Sequence, residues 1–491
     1  MPNRLTSSLP IHKDFHSIAF FFALCGLVYA SSFIRYGYIA DEMADVNNDQ
    51  FLFYIAQQRW GLALFREFVG ASSVHWAAGI TACLFTSLSI WLQCKVLNIP
   101  RISEQILYGA CYIAVPQLAH VLLFSNQSDA ITCGILSATF AVWLMVQEKQ
   151  KWHTLLLAII FISFSISCYQ SIVIYYLVLA TTWYISTILH KKGMSLKRFM
   201  YIVFLSLPAL ILYSGITKLF ILISSTPTEY LDIIQSYRKA CINGMNFADL
   251  SPTLKFFYIA HSTKEIALNL ISFNSFNWFY NLSIIPCFYI IFCLLRIREN
   301  TFIIRILQAA LVICILIGAY SIIYLYGNSC YSEHCLLALP VSCAGLWLLA
   351  TQMGLFSKNK IALYVIVSCA CLRTMYYNAN FNHKISRLYE RNIIQAYLII
   401  NEAERVAAEN NIDIHELGIA VAAKRYSILN YLKTHPSLSL LIPAGSEEYK
   451  NHGSAFKQMP AWPREGSVRV NKGQIIVNAP DFTFIEFTEK H

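Results

Sequence analysis

Long apolar runs with almost no charge recur along most of this chain, and no other feature constrains its fold so tightly. They fall at about residues 17–34, 74–93, 105–124, 130–147, 154–168, 170–189, 200–224, 281–295, 306–326, 336–356 and 361–372. A bilayer core about 30 Å thick is crossed by roughly 20 residues of helix, which satisfies all of its own backbone groups inside hydrocarbon. A chain of 491 residues that is 57% hydrophobic and only 13% charged is accordingly expected to be a polytopic α-helical membrane protein. The runs predict about 11 transmembrane helices, within a range of about 9 to 12. The least regular stretches are the run broken at Pro116, the pair of runs divided at Gln170, and the half-polar approach at 265–280, which has the character of a re-entrant segment.

Loop charges set an orientation. In an eleven-span count, Lys95 and Arg101, Lys149 and Lys151, Lys191, Lys192, Lys197 and Arg198, Arg296, Arg298 and Arg305, and Lys358 and Lys360 all fall on one side, together with Arg4 and Lys13. Lys and Arg concentrate in short cytoplasmic loops, so this side and the N-terminus are read as cytoplasmic. In a bacterium the opposite face is the periplasmic side of the inner membrane. Arg4, Lys13 and the small-residue stretch Val28-Tyr29-Ala30 imitate a secretory signal, but the apolar run continues through Ile34 and further runs follow, which favours an uncleaved first span. The net charge is +10, yet residues 375–491 carry 13 basic and 12 acidic side chains. The surplus therefore belongs to the membrane part and reflects topology, not nucleic-acid binding. Most of the 15 cysteines lie inside apolar runs, where free Cys acts as a small hydrophobe, and no C-x-x-C metal-ligand spacing occurs.

Two parts are expected. Residues 1–374 form a transmembrane module with two long periplasmic segments, 35–73 and 225–280. The first of these repeats apolar and aromatic residues at helical spacing from Phe51 to Phe65 around Gly61, the pattern of short helices lying in the membrane interface. Residues 375–491 read as a small periplasmic α/β domain. They contain an amphipathic helix over His383–Asn410, a strand over Gly418–Ala422, a helix over Arg425–Lys433, and strands over Ser467–Val477 and Phe482–Phe487, with a hairpin turn at Asn471–Gly473.

The densest acid cluster, Asp41, Glu42, Asp45 and Asp49, stands in the first outward segment. It is either a solvated loop or the seat of a general base. Transfer of a sugar from a polyprenyl phosphate to a hydroxyl with inversion requires one carboxylate to take the acceptor proton, and basic side chains to offset the phosphate. Asp41 and Glu42 stand just beyond the first span, where partial desolvation tunes basicity. Adjacent carboxylates repel, so one of the two is expected to point into a site. Asp45 and Asp49 precede apolar stretches and read as helix caps. Arg59, Arg238 and Lys239 are the basic candidates. Trp278 and Asn274 suit either a sugar contact or an interface anchor, and His334 reads as a loop residue.

The acid pair after the first span, followed by a helix leading into Arg59-Trp60, resembles the O-antigen glucosyltransferases of serotype-converting phages and related gene clusters. Tyr169-Gln170-Ser171 at an outer junction of two spans, and the Phe124–Asp129 break after Pro116, resemble further features of that family. The likeness covers roughly residues 15–350. It implies a GT-C type glycosyltransferase that moves glucose from undecaprenyl-phosphate glucose to an O-antigen sugar of lipopolysaccharide, alongside a flippase and a donor-synthesising glycosyltransferase. It adds Trp60, Tyr169 and Gln170 to Arg59, Arg238 and Lys239 as substrate-binding candidates, with no metal or other cofactor. The family's acid pair is commonly Asp-Asp, whereas this chain has Asp41-Glu42, so the choice of base stays open. A transporter or lipid flippase and an O-antigen polymerase or ligase are the rival classes. Few charges lie within the apolar runs, which argues against a transport pathway.

Overall fold

The computed structural model describes residues 11–33, 50–69, 75–122, 124, 127–147, 151–190, 196–226, 231, 251–271, 278–296, 302–321, 335–357, 359–410, 417–422, 468–471, 474–477 and 484–489. The chain divides into two compact units, one of Met1–Ile34 with Asp49–Phe381 and the other of Arg35–Asn48 with Asn382–His491. The first is helical throughout its described residues. Its order is α1 (Ile11–Phe33), α2 (Gln50–Ala56), α3 (Trp60–Val69), α4 (His75–Val96), α5 (Ile102–Ile113), α6 (Gln117–Val121), α7 (Ser128–Val146), α8 (Trp152–Cys168), α9 (Ile172–Leu189), α10 (Leu196–Phe204), α11 (Ser206–Ile223), α12 (Pro252–Ile271), α13 (Trp278–Leu282), α14 (Ile284–Arg296), α15 (Phe302–Gly318), α16 (Leu339–Gln352) and the start of α17 (Lys360–Glu409).

Seven of the described helical stretches are long and apolar enough to cross a membrane: Asp14–Phe33, Trp76–Val96, Ser128–Val146, Ile172–Leu189, Leu196–Ile223, Trp278–Arg296 and Lys360–Arg387. Trp152–Cys168, Phe302–Gly318 and Leu339–Gln352 are apolar but shorter. The chain is a polytopic helical membrane protein.

Side-chain pairings fix the directions of the first helices. Lys95 Nζ lies 2.5 Å from Asp14 Oδ1, Cys25 and Cys83 meet at 3.3 Å, and Gly79 faces the ring of Phe33, so α1 and α4 are antiparallel. Ser17 reaches Gln105 at 3.2 Å and Tyr29 reaches the Ile113 carbonyl at 2.9 Å, so α5 runs parallel to α1. The helix break expected at Pro116 is present between α5 and α6. Proline supplies no N–H and its ring clashes with the preceding turn, so the helix stops there and the carbonyls of its last turn are left without helical donors. Tyr29 Oη donates to the Ile113 and Val115 oxygens at 2.9 Å, and Thr374 Oγ1 donates to the Ala114 oxygen at 2.5 Å. Neighbouring helices thereby satisfy backbone groups that hydrocarbon would leave bare. Deeper in the unit, Tyr108 Oη donates to Gln93 Oε1 at 2.6 Å and Gln93 Nε2 donates to Tyr175 Oη at 2.8 Å, which also meets Thr139 Oγ1 at 2.7 Å. This buried chain ties α5, α4, α9 and α7 together.

In the second unit α17 continues to Glu409. Composition changes near residue 375, where a boundary is expected, but no Gly or Pro occurs between Gly354 and Gly418. Without a residue that breaks it, the helix simply propagates through the change. Four strands follow, β1 (Leu417–Ala422), β2 (Val468–Asn471), β3 (Gln474–Val477) and β4 (Phe484–Glu489), in the antiparallel order β1-β4-β3-β2. Asn471 pairs with Gln474 across the β2–β3 hairpin, and Ile419 pairs with Phe487. The helix expected over Arg425–Lys433 lies outside the described residues.

Candidate functional site

The two ends of the first unit differ in how they use polar side chains. At one end, basic residues stop helix C-termini. Arg198 donates to the Met145 oxygen at 3.2 Å and to the Gln147 oxygen, and Arg305 donates to the Leu295 oxygen at 2.8 Å, so each guanidinium meets carbonyls left open by the last turn of α7 or α14. Lys95 and Lys360 stand at the same end.

At the other end, three junctions converge: the α2–α3 turn, the entry to α7, and the α8–α9 junction. The α2–α3 turn is tight. Gln58 takes φ of 65°, the left-handed region that few L-residues adopt, and the Arg59 N–H returns to the Tyr54 oxygen at 2.8 Å. Two side chains hold it from outside. Gln170 Nε2 donates to the Gln57 oxygen at 3.0 Å, and Tyr213 Oη of α11 donates to the Gln58 oxygen at 2.9 Å. Gln170 also reaches Tyr213 Oη at 3.3 Å, so the two braces support each other.

The turn aims Arg59 across the α8–α9 junction. Its guanidinium carbon lies 4.6 Å from the centre of the Tyr169 ring, and Nη1 donates to Gln127 Oε1 at 3.0 Å. It forms no ion pair with a described residue, and its buried Nε has no hydrogen-bond partner. Trp60 is buried beside it, stacked on Phe220 at 6.1 Å with planes 8° apart and edge-on to Phe164. Its Nε1, together with Gln57 Oε1 and Ser171 Oγ, is buried without a hydrogen-bond partner. Gly61 allows this approach, because a Cβ there would run into Ser167 Oγ and lie 3.2 Å from the Phe164 oxygen.

Two turns further along α3 stands a second arginine in the opposite situation. Arg66 is bound by both carboxylate oxygens of Asp129, and the two side chains are 4% and 3% exposed. Asp129 Oδ1 also accepts the Ala130 N–H at 2.9 Å. This pair fastens α3 onto the first turn of α7.

The family model described as Glucosyl transferase GtrII matches residues 29–375 of the chain. The chain belongs to the glucosyl transferase GtrII family. The match takes in all three converging junctions. No curated protein and no solved structure matches the chain. Membership makes this GtrII protein a membrane glucosyltransferase, which uses a sugar donor and an acceptor.

Four of the residues singled out by sequence, Arg59, Trp60, Tyr169 and Gln170, lie together at this corner of the GtrII protein. Asp41, Glu42, Arg238 and Lys239 lie outside the described residues, as do Asp45, Asn274 and His334. Trp278 lies under the guanidinium of Arg373, 5.3 Å from ring centre to Cζ. Gln127, Gln57 and Tyr213 escape sequence reasoning because each is an uncharged residue beside or inside an apolar run. Arg66 and Asp129 carried a usable signal, an ionisable side chain at the edge of an apolar helix. Asp129 is engaged by Arg66 and by a backbone N–H, so it is not available to accept a proton from a substrate.

Proposed function

We propose that this GtrII-family chain transfers glucose from undecaprenyl-phosphate glucose to a sugar of the O-antigen of lipopolysaccharide, at the periplasmic face of the bacterial inner membrane and with inversion. The fold in this reading is GT-C type, with eleven spans. The seven long helices, the three shorter apolar ones and the interrupted α5–α6 stretch cross the membrane, the N-terminus is cytoplasmic, and residues 375–491 form a periplasmic α/β domain. A flippase and a donor-synthesising glycosyltransferase supply the lipid-linked sugar.

The observation that carries this reading is the state of Arg59. An arginine held by a glutamine and an aromatic face keeps its charge uncompensated by any described carboxylate, at the end of the bundle away from the basic helix caps. Such a group suits an anionic ligand, here the phosphate of the donor. Arg238 and Lys239 are assigned the same task. The indole N–H of Trp60 and the open Gln57 and Ser171 oxygens suit sugar hydroxyls, since buried polar atoms ordinarily find partners. Tyr169 and Gln170 hold these groups in place.

The chemistry needs one base. Asp41 or Glu42 takes the proton of the acceptor hydroxyl as its oxygen attacks the anomeric carbon. The bond from that carbon to the phosphate oxygen breaks on the opposite side, and undecaprenyl phosphate departs already ionised, so no general acid is required. Asp129 is excluded from this role by its ion pair. The test is to make Asp41→Asn and Glu42→Gln singly, verify membrane levels, and measure glucose added to lipopolysaccharide. The base variant is expected to lose about 10²- to 10⁴-fold of its rate, its neighbour far less. Full activity in both would remove the acid pair from the mechanism.

A further inference from the structure

Helix α12 has its polarity inside out. At 3.6 residues per turn, Lys255, Tyr258, Ser262 and Glu265 form one stripe along it. In a helix washed by water that stripe would face solvent and the apolar residues would be covered. Here Ser262 is buried at 2% exposure, and Lys255, Tyr258 and Glu265 are half-buried. Ile266 and Leu270 continue this covered side. The bare side carries Leu254, Phe256, Phe257 and Leu268, with Phe256 and Phe257 exposed at 68% and 63%. Ala260 and Ala267 lie between them, and Thr253, His261, Thr263 and Lys264 are the polar residues on the same side.

We infer that α12 is seated in the outer boundary of the bilayer, with its Phe256–Phe257 side in contact with lipid chains and its polar stripe turned to protein. Three observations select lipid as the occupant. First, the apolar spans before and after α12 in sequence, Leu196–Ile223 and Trp278–Arg296, present the same kind of bare apolar side, through Ile211 and Leu222 on α11 and Phe288 and Phe292 on α14, and both are apolar enough to cross a membrane. Second, α12 itself is 20 residues long, about 30 Å at 1.5 Å per residue, yet it is not among the seven helices apolar enough to cross. A helix of this kind lies along the interface, where an apolar side sinks among acyl chains. Third, Lys264 fits the same setting, since a lysine stem packs along apolar surface while its ammonium reaches headgroups.

This inference revises the expectation for residues 225–280. The stretch over 252–271 is a membrane-seated element, not an aqueous loop, and the half-polar character over 265–271 reflects a helix with one side for lipid and the other for protein.

The test uses the full chain with the photoreactive residue p-benzoylphenylalanine placed singly at Phe256, Phe257, Leu268 and, as the covered reference, Ser262. Each protein is irradiated both in cells and in vesicles of phosphatidylethanolamine and phosphatidylglycerol, and the adducts are identified by mass. Phospholipid adducts are expected at Phe256, Phe257 and Leu268 in yields about fivefold or more above Ser262. Predominant adducts to a second polypeptide in cells would make this side a protein-docking surface and overturn the inference. Equal lipid yields at all four positions, or adducts confined to the chain itself, would overturn it as well. The phenylalanine replacements are close in shape to the native residues, and Leu268 supplies an independent site should either fail to accumulate.

Discussion

Arg59 and Arg66 stand on the same helix pair, α2–α3, two turns apart, and the protein treats them in opposite ways. Arg66 is sealed against Asp129, so its charge is cancelled and its role is to clamp α3 to α7. Arg59 is held by Gln127 and the Tyr169 ring, neutral groups that fix its direction without cancelling its charge. The first arrangement is a structural joint, and the second is the one proposed above as a receptor for charge. The proposed use of a lipid-phosphate donor calls for both: a cation to meet the phosphate, and a rigid support for the turn that carries it.

The comparison breaks most severely at the joint. Asp129→Asn leaves a buried guanidinium with no counterion, and removing one partner of such a pair costs about 3–5 kcal/mol. The expected outcome is a large fall in membrane level and in the thermal midpoint of the purified protein. Replacing both partners by apolar residues of similar volume, as in Arg66→Met with Asp129→Leu, is expected to restore most of the level, because no charge is then left unpaired. A single variant as stable as the native protein would mean that water reaches Arg66 and that the pair is no clamp.

At Arg59 the expected effect is on rate, not on folding. Arg59→Gln should accumulate normally and lose about 100-fold in kcat/KM for the lipid-linked donor, as expected when a charge-stabilising donor is removed. Arg59→Lys keeps the charge but not the planar fork that fits both Gln127 and Tyr169, so it should recover only part of the loss. If Arg59→Gln instead lowered the protein level as strongly as Asp129→Asn, the distinction between joint and receptor would fall.

How far sequence alone could read this molecule depends on the range of the interaction. Apolar runs report a local property, and they match helices such as Ile172–Leu189 and Ser128–Val146 closely. The break at Pro116 was legible for the same reason, since proline acts on its own helix. The strands at Leu417–Ala422, Val468–Asn471, Gln474–Val477 and Phe484–Glu489 overlap the segments read from alternation and turn residues, the last of them shifted by two residues. Arg66 and Asp129 were not paired in advance, because nothing local in either residue names a partner on a different helix. Tyr213 was hidden differently. Within an apolar run it reads as an ordinary span residue, and only the packing of α11 brings its hydroxyl to the Gln58 carbonyl. At α17 the two kinds of signal separate: the change of composition near 375 was read as a domain boundary, and one helix runs through it, because a helix ends only where its backbone is given a reason to end.

The finest test concerns the braces on the α2–α3 turn. Tyr213→Phe removes one hydroxyl that donates to the Gln58 carbonyl and meets Gln170. A neutral hydrogen bond contributes about 0.5–1.5 kcal/mol, so stability should change little. Gln58 sits in a left-handed conformation that its surroundings must maintain, however, and Arg59 is the next residue. A slight relaxation of the turn would therefore appear in catalysis before it appears in folding, as a loss of about 3- to 10-fold in kcat with the thermal midpoint nearly unchanged. Gln170→Glu provides the sharper companion, because a carboxylate cannot donate to the Gln57 carbonyl and would repel it, while it also places a negative charge near Arg59. Gln170→Glu should then lose more activity than Tyr213→Phe. Equal and full activity in both would show that the turn holds Arg59 without them, leaving Gln127 and the Tyr169 ring as the groups that aim it.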